Sequence, residues 1–296
     1  MNKYNILIVD DEPANIYLLE ELLSDYNTIS ANSGYELFQE LEKNFTDLIL
    51  LDIMMPGIDG LMLANQLKDN DKYRDIPVIF ISAKDSGADV AEGLNVGADD
   101  YIKKPFDDAE LLARISKVLN NTKTKTELYI KATRDNLTGI FNREYFFESL
   151  SLRILKAYRE RAGFSIGIID IDYFKKVNDT YGHQSGDRVL KNLTQFISQS
   201  LREYDVFARY GGEEFIFLLD GLERNQAAII IDRIREQVAV TEIDPENNLR
   251  ITFSCGLSDL FEAENQEDIA DFLIKIADRR LYIAKSTGRN KIVSEG

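Results

Sequence analysis

Apolar and polar positions follow two rhythms along the first 120 residues. Short unbroken apolar runs, such as Ile6–Val9, Leu48–Leu51 and Val78–Ile81, are separated by stretches with apolar residues at helical spacing. The alternation repeats about five times, which predicts right-handed βαβ crossovers and a doubly wound parallel sheet with helices on both faces. From Asn142 onward the rhythm changes. The pattern there predicts a helix, a strand over 164–171, a helix, a helix over about 185–200, strands within about 205–219, a helix over about 224–240, a strand over 249–258 and a helix over 267–285. Adjacent Gly211 and Gly212 ahead of the apolar run Phe215–Leu219 predict a β-hairpin, since glycine makes a tight turn at no steric cost. The second half is therefore a mixed α/β sandwich.

A third pattern joins the two halves. From Asp107, Leu111, Ile115 and Val118 recur at helical spacing, and past Asn120 neither Pro nor Gly interrupts the chain until Gly139. The polar stretch Asn121–Glu127 fits a solvated flexible linker. Tyr129 and Ala132, however, continue the helical register, giving a heptad-like seam of Leu111, Ile115, Val118, Thr122, Lys125, Tyr129 and Ala132. That seam favours a continuous helix pairing with its copy in a dimer, weakened at Thr122 and Lys125. The predicted division is a first domain over 1–120, a long helical linker over 121–134 and a second domain over 135–296.

Composition sharpens this picture. A chain of 296 residues holds about two domains with their own cores. The formal net charge of −16 argues against a nucleic-acid-binding output and against anionic membranes. One cysteine, Cys255, excludes an intrachain disulfide and any multi-cysteine metal site; its apolar surroundings read as an inert strand residue. No signal peptide or long apolar run is evident, which predicts a soluble, cytoplasmic protein.

Candidate chemistry gathers where the strands end. Ligands of parallel α/β sheets bind at the carboxyl ends of strands, and there lie Asp10, Asp11, Asp52, Ser82 and the Lys103-Lys104 pair. Neighbours in a strand point to opposite faces, so only one of those lysines reaches such a site. In the second half, Phe164–Asp172 is an apolar run that delivers Asp170 and Asp172 to its edge. Paired Glu213 and Glu214 at a turn repel each other unless a cation or basic ligand sits between them; the bland reading is an acidic hairpin tip in solvent. Lys285 and Arg289 close the last helix, where cations suit the helix dipole.

Ile6-Leu-Ile-Val-Asp-Asp11, Leu48-Ile-Leu-Leu-Asp52 with the loop Ile53-Met-Met-Pro-Gly-Ile-Asp-Gly60, Val78–Ala83 and Asp100-Tyr-Ile-Lys-Lys-Pro-Phe106 together resemble a response-regulator receiver domain. The resemblance implies a flavodoxin-like fold, Asp52 as phospho-acceptor, and one Mg²⁺ held by Asp11 and Asp52, with Asp10 nearby and the Met54 carbonyl completing the set. It selects Lys104, which precedes the proline, as the phosphate contact. Ser82 would donate its hydroxyl to the phosphate and Tyr101 would swing inward behind it. An upstream histidine kinase or other phosphodonor is implied.

Asp135–Arg143, Asp170–Asp187, Arg209-Tyr-Gly-Gly-Glu-Glu-Phe215 and Ala284–Asn290 resemble the GGDEF family of diguanylate cyclases, in a Gly-Gly-Glu-Glu-Phe variant running from about Asp135 to Ile292. The resemblance implies a nucleotidyl-cyclase or polymerase-palm sheet and condensation of two GTP into cyclic di-GMP. Asp170, Glu213 and the Ile171 carbonyl would hold two Mg²⁺, with Glu213 and Glu214 catalytic. Asn178 and Asp187 would read guanine; Phe174, Lys175, Lys285 and Arg289 would line the phosphate side. Arg202 and Asp205, helped by Arg209, match an inhibitory site for the product. A symmetric product from one GTP per domain implies a homodimer. The alternative is a catalytically inactive cyclic di-GMP receptor acting through protein partners; such relatives usually lose the metal carboxylates or the hairpin glycines, and this chain keeps both.

Overall fold

The computed structural model describes residues 3–83, 96–160, 162–263 and 266–296. It divides into two compact units, Met1–Leu128 and Tyr129–Gly296. The first contains β1 (Asn5–Val9), α1 (Pro13–Leu22), β2 (Asn27–Ala31), α2 (Gly34–Lys43), β3 (Leu48–Asp52), α3 (Gly60–Asp69), β4 (Val78–Ser82) and β5 (Asp100–Lys103). The helix α4 (Asp108–Thr133) begins in it. The sheet order is β2-β1-β3-β4-β5, parallel throughout.

Strand alternation sorts the side chains of this sheet into two layers. Leu7 and Val9 of β1 join a cluster with Leu37 of α2 and Leu63 of α3. Ile6 and Ile8 point the other way and pack with Leu19 of α1 and with Leu111, Ile115, Val118 and Leu119 of α4. That packing corrects the predicted seam. Leu111, Ile115 and Val118 are core residues of the first unit, so only the positions from Thr122 onward remain for pairing with another helix. The continuous helix itself forms: α4 runs unbroken through the polar stretch. The β2-β1-β3 order places the reversal of strand order at β1, between β2 and β3, where the β1 and β3 ends adjoin. This is where such sheets bind ligands.

The second unit contains α5 (Arg143–Glu160), β6 (Phe164–Ile171), α6 (Phe174–Tyr181), α7 (His183–Ser198), β7 (Val206–Gly211), β8 (Glu214–Asp220), α8 (Arg224–Val240), β9 (Phe253–Asp259), α9 (Ile269–Ser286) and β10 (Ile292–Val293). Its sheet order is β10-β9-β6-β8-β7, with β6 antiparallel to β8 and β9. Phe215, Phe217 and Leu219 of β8 face α7 and α8, meeting Val189, Leu193, Ile231 and Ile234. Ile216 and Leu218 face α5 and α9, meeting Phe146, Leu150, Leu273 and Ala277. The strand predicted over 249–258 begins at Phe253 instead, because Leu249 is spent on a bridge to Asp244. The two-residue β10 was not anticipated; it is too short to carry a period.

Candidate functional site

In the first unit, the ends of β1 and β3 bring the carboxylates together. Asp10, Asp11 and Asp52 offer oxygens within 4.8 Å of one another. Asp10 is held by the Glu12 N–H (2.9 Å) and by Asn15 Nδ2, 3.0 Å from each carboxylate oxygen. The Met54 N–H donates to Asp52 Oδ1 (3.1 Å). Lys104 Nζ donates to Asp10 Oδ2 (2.7 Å) and Asp52 Oδ2 (2.9 Å), whereas Lys103 is solvent-exposed. Burial works against the Lys104 charge, but its bonds to Asp10 and Asp52 outweigh that and hold its pKa above the ordinary lysine value. Ser82 is buried, and its carbonyl accepts the Lys104 N–H (2.8 Å). Tyr101, expected to move inward, is already buried in this structure. Three hard oxygen ligands in one cleft suit Mg²⁺, with Lys104 holding the cluster's charge in check.

In the second unit, Asp170 is the penultimate residue of β6, opposite Glu214 of β8 and Ser254 of β9. Burial raises its pKa to about 6; Lys285 opposes this and the charges of Glu213 and Glu214 add to it. Lys285 Nζ bonds Asp170 Oδ2 at 2.7 Å, so the end of α9 reaches the β6 edge. Glu213 stands in the turn, where its carbonyl accepts the Ile171 N–H (3.5 Å). Gly212 takes a left-handed φ of +52° there, and nothing lies within 4 Å of a Cβ placed on it or on Gly211. The turn therefore offers bare backbone beside three carboxylates, of which, among the described residues, only Asp170 has a cation partner, Lys285. That donor set fits hard divalent ions.

The remaining predicted residues distribute around this edge. Phe174 is buried at the start of α6, while Lys175 on the same helix is exposed. Asn178 Oδ1 lies so close to α7 that a Cβ on Gly186 would be 1.9 Å away, which puts the carboxamide beside the residue preceding the exposed Asp187. Arg202 is exposed, with its guanidinium over the Tyr204 ring. Asp205 is buried and accepts backbone N–H groups from Arg202 (3.0 Å) and Asp220 (3.3 Å), each oxygen keeping a second lone pair. Arg209, expected beside Arg202, instead bonds the Gly212 carbonyl (2.8 Å from Nη2) and Asp135 (3.2 Å), bracing the hairpin turn. His183, the single histidine of the chain, is exposed at the start of α7.

Asp172 and Asp244 are among the buried carboxylates that received no role from sequence reasoning. Asp172 accepts from Thr252 Oγ1 (2.7 Å), Ser254 Oγ (2.7 Å) and the Asn290 N–H (2.9 Å), tying the last loop to the site. Asp244 accepts from Ser185 Oγ (2.6 Å), Asn247 Nδ2 (2.7 Å) and the Arg188 guanidinium (3.1 Å). Arg188 chiefly holds Asp244 down at a pKa of about 2. Asp172 was legible only as a second acid after Asp170. The Asp244 partners Ser185 and Arg188 lie some sixty residues away in sequence, and nothing local announces them.

Comparison with known proteins agrees with both units. Residues 6–116 match the response regulator receiver domain family, and residues 132–291 match the family described as diguanylate cyclase, GGDEF domain. Response regulator PleD of Caulobacter vibrioides (strain NA1000 / CB15N) is 32% identical over 303 residues, covering 98% of this chain and 65% of its own. Probable diguanylate cyclase DgcT of Escherichia coli (strain K12) is 43% identical over 166 residues, covering 55% of this chain and 35% of its own. This chain thus spans less than two thirds of the length of either relative. The crystal structure of the coiled coil and GGDEF domain of DgcB from Caulobacter crescentus, in complex with c-di-GMP, aligns with a TM-score of 0.57 at 26% identity, over 64% of this chain and 98% of that one. With more than half of its residues inside the matched GGDEF region and a receiver match ahead of it, the chain belongs to the GGDEF diguanylate cyclase family, in an arrangement that begins with a receiver domain.

Proposed function

We propose that this protein is a phosphorylation-activated diguanylate cyclase that condenses two GTP into cyclic di-GMP and two pyrophosphates. The observation that carries the reading is the constellation at the β6 edge: Asp170 beside the Gly-Gly-Glu-Glu turn, with Lys285 at 2.7 Å. Each 3′-oxygen forms a bond to the α-phosphorus of the other nucleotide, the bond from that phosphorus to the bridging oxygen breaks, and pyrophosphate carries the electron pair away. Asp170, Glu213 and the Ile171 carbonyl are the residues that would hold Mg²⁺. Bound there, the metal supplies charge neutralisation of the leaving group and acidification of the attacking hydroxyl.

The chain's own residues supply the rest. Glu213 and Glu214 take the hydroxyl proton. Lys285 exchanges its bond to Asp170 for the β- and γ-phosphates, assisted by Arg289 and Lys175, with Phe174 forming the wall at the start of α6. Asp187 accepts from guanine N1–H and the exocyclic amine, and Asn178 reads the remaining edge. Adenine presents an acceptor at N1, and such a mismatch leaves buried polar groups unpaired, which discriminates strongly. One domain binds one GTP, so turnover needs two copies face to face. Arg202 and Asp205 are proposed to bind product and slow the enzyme.

In the receiver unit, Asp52 accepts the phosphoryl group, Asp10, Asp11 and the Met54 carbonyl are the groups that would join it around Mg²⁺, and Lys104 then contacts the phosphate. Ser82 donates its hydroxyl, and Tyr101 packs behind it. No described helix is long and apolar enough to cross a membrane. Incubation with GTP and Mg²⁺, with and without beryllofluoride, followed by chromatography, tests the reading. Cyclic di-GMP should appear, and faster with beryllofluoride; absence of cyclic di-GMP from folded protein in both conditions overturns it.

A further inference from the structure

Among the described residues four non-glycine residues adopt a left-handed φ, and three of them gather at one place: Tyr173 (58°), Arg289 (62°) and Asn290 (45°). For a bulky aromatic residue this is an outlier. Strain of this kind persists only where the surroundings over-determine it. Here the determinant is Asp172, which precedes Tyr173 and binds the Asn290 N–H at 2.9 Å. Thr252 and Ser254 fix the same carboxylate from β9 and the loop before it. Arg235 Nη1 grips Asn290 Oδ1 at 2.9 Å, and the Arg289 N–H returns to the Ala284 carbonyl at 2.9 Å. Two strained turns, one after β6 and one after α9, are thereby locked to each other.

The lock brings the side chains of Tyr173 and Arg289 into contact. The Arg289 guanidinium lies 4.5 Å from the Tyr173 ring centroid, with Nη1 3.4 Å from the hydroxyl. Among the described residues Arg289 has no carboxylate partner, in a chain of net charge −16 with acids in excess. An arginine held by a ring keeps its full charge and its forked donors for an anion. A carboxylate in the same place would compete with a phosphate for it. Tyr173 as a whole is 62% exposed, so burial does not explain its strained backbone.

We propose that Tyr173 is a positioning residue: its ring holds Arg289 in place, free of acids, for the terminal phosphates of the nucleotide. This rests on the phosphate role given to Arg289 above. Calorimetry of the full chain with Mg²⁺ tests it, using 3′-deoxy-GTP, which lacks the attacking hydroxyl and does not cyclise, against GMP. Asparagine tolerates a left-handed backbone, so Tyr173→Asn removes the ring with little backbone penalty. It should weaken 3′-deoxy-GTP binding by about two- to five-fold, the range of an exposed cation–π contact, and leave GMP binding unchanged. Tyr173→Phe should restore parental affinity. In an Arg289→Ala background, Tyr173→Asn should have no further effect. Equal losses in both backgrounds, a matching loss for GMP, or a Phe variant as weak as the Asn variant would overturn the proposal. A parent that binds 3′-deoxy-GTP no more tightly than GMP overturns the phosphate reading itself and this proposal with it.

Discussion

Asp170 and Asp172 stand two residues apart, and their surroundings separate their roles. Asp172 spends its carboxylate on three fixed donors. Asp170 has one lysine partner and two like-charged neighbours, and burial raises its pKa to about 6. A carboxylate left in that state is poised to receive a cation. Asp170→Asn and Glu213→Gln keep shape and remove charge, so each should cut cyclic di-GMP formation by at least about a hundred-fold with an unchanged circular-dichroism spectrum. Near-parental rates in either would remove the metal assignment. Arg202→Ala deletes an exposed side chain outside this cluster. Initial rates should stay within about two-fold of the parent while inhibition by added cyclic di-GMP disappears; an unchanged inhibition constant would leave Arg202 a plain surface cation. Asp244 gives a pH prediction. Its folded pKa of about 2, set first by Arg188, lies below the ordinary value of about 3.9. The stability it contributes is therefore complete above about pH 4 and is lost as the pH falls toward 2. Denaturant melts of parent and Asp244→Asn should differ at pH 7 by roughly 3 kcal/mol, at the low end for a broken buried pair because Arg188 is a third exposed. That gap should close between about pH 4 and 2; a constant gap would deny the linkage.

At the scale of elements, most of the fold was legible because strand and helix periods were clean. β6 appears over the residues its apolar run predicted, and β8 alternates as a strand covered on both faces must. What escaped was set by packing across the sheet. The period of Leu111, Ile115 and Val118 identifies a helix but not its neighbour, and a core stripe and a dimer seam share that spacing; only the contact with β1 decides. Asp10 and Asp52 were legible because strand ends converge by topology, and Lys104 only through the resemblance that singled it out from Lys103, whereas the bonds of Arg209 to Gly212 and Asp135 were not legible because they depend on how the hairpin closes. Gly256 shows a contact no local pattern reveals. A Cβ there would lie 2.0 Å from the Ala277 carbonyl oxygen and 2.3 Å from the Leu281 nitrogen. Both are backbone atoms of α9, so the helix cannot yield without leaving β9. Since Lys285 rides on that helix, Gly256→Ala should cost about 1–3 kcal/mol of stability and raise KM for GTP several-fold. A thermal melt and a steady-state titration check both, and a parental KM would show that the helix end tolerates the shift.

For the whole molecule, the question the proposed function raises is how phosphorylation of Asp52 would reach chemistry at Asp170. α4 is the covalent route, since it runs from Asp108 to Thr133 without a break. Its first turns are fastened into the receiver core by Leu111, Ile115, Val118 and Leu119. The rest of the predicted seam, Lys125, Tyr129 and Ala132, is exposed, and Leu128, Tyr129 and Ile130 each leave half or more of their surface in water. Such a stretch is weak in polar places and apolar in others. On the proposed phosphorylation-driven reading, two pairings with a second copy are expected to lie within a few kcal/mol of each other, a gap that one phosphorylation would span. Dimer contacts are expected on the receiver face formed by the predicted helical segment between β4 and β5 together with the start of α4; residues 84–95 of the former lie outside the described residues. Each residue added to a helix rotates the downstream chain by about 100°, so helical phase should matter more than helix length. Beryllofluoride should raise turnover at least several-fold, and Asp52→Asn should abolish the response without lowering basal turnover. One residue inserted near Thr124 should uncouple the response, while seven inserted residues, about two full turns, should restore it. A one-residue insertion that responds like the parent would show that phase along α4 does not carry the signal, and the receiver would then have to act by concentrating two chains rather than by orienting them.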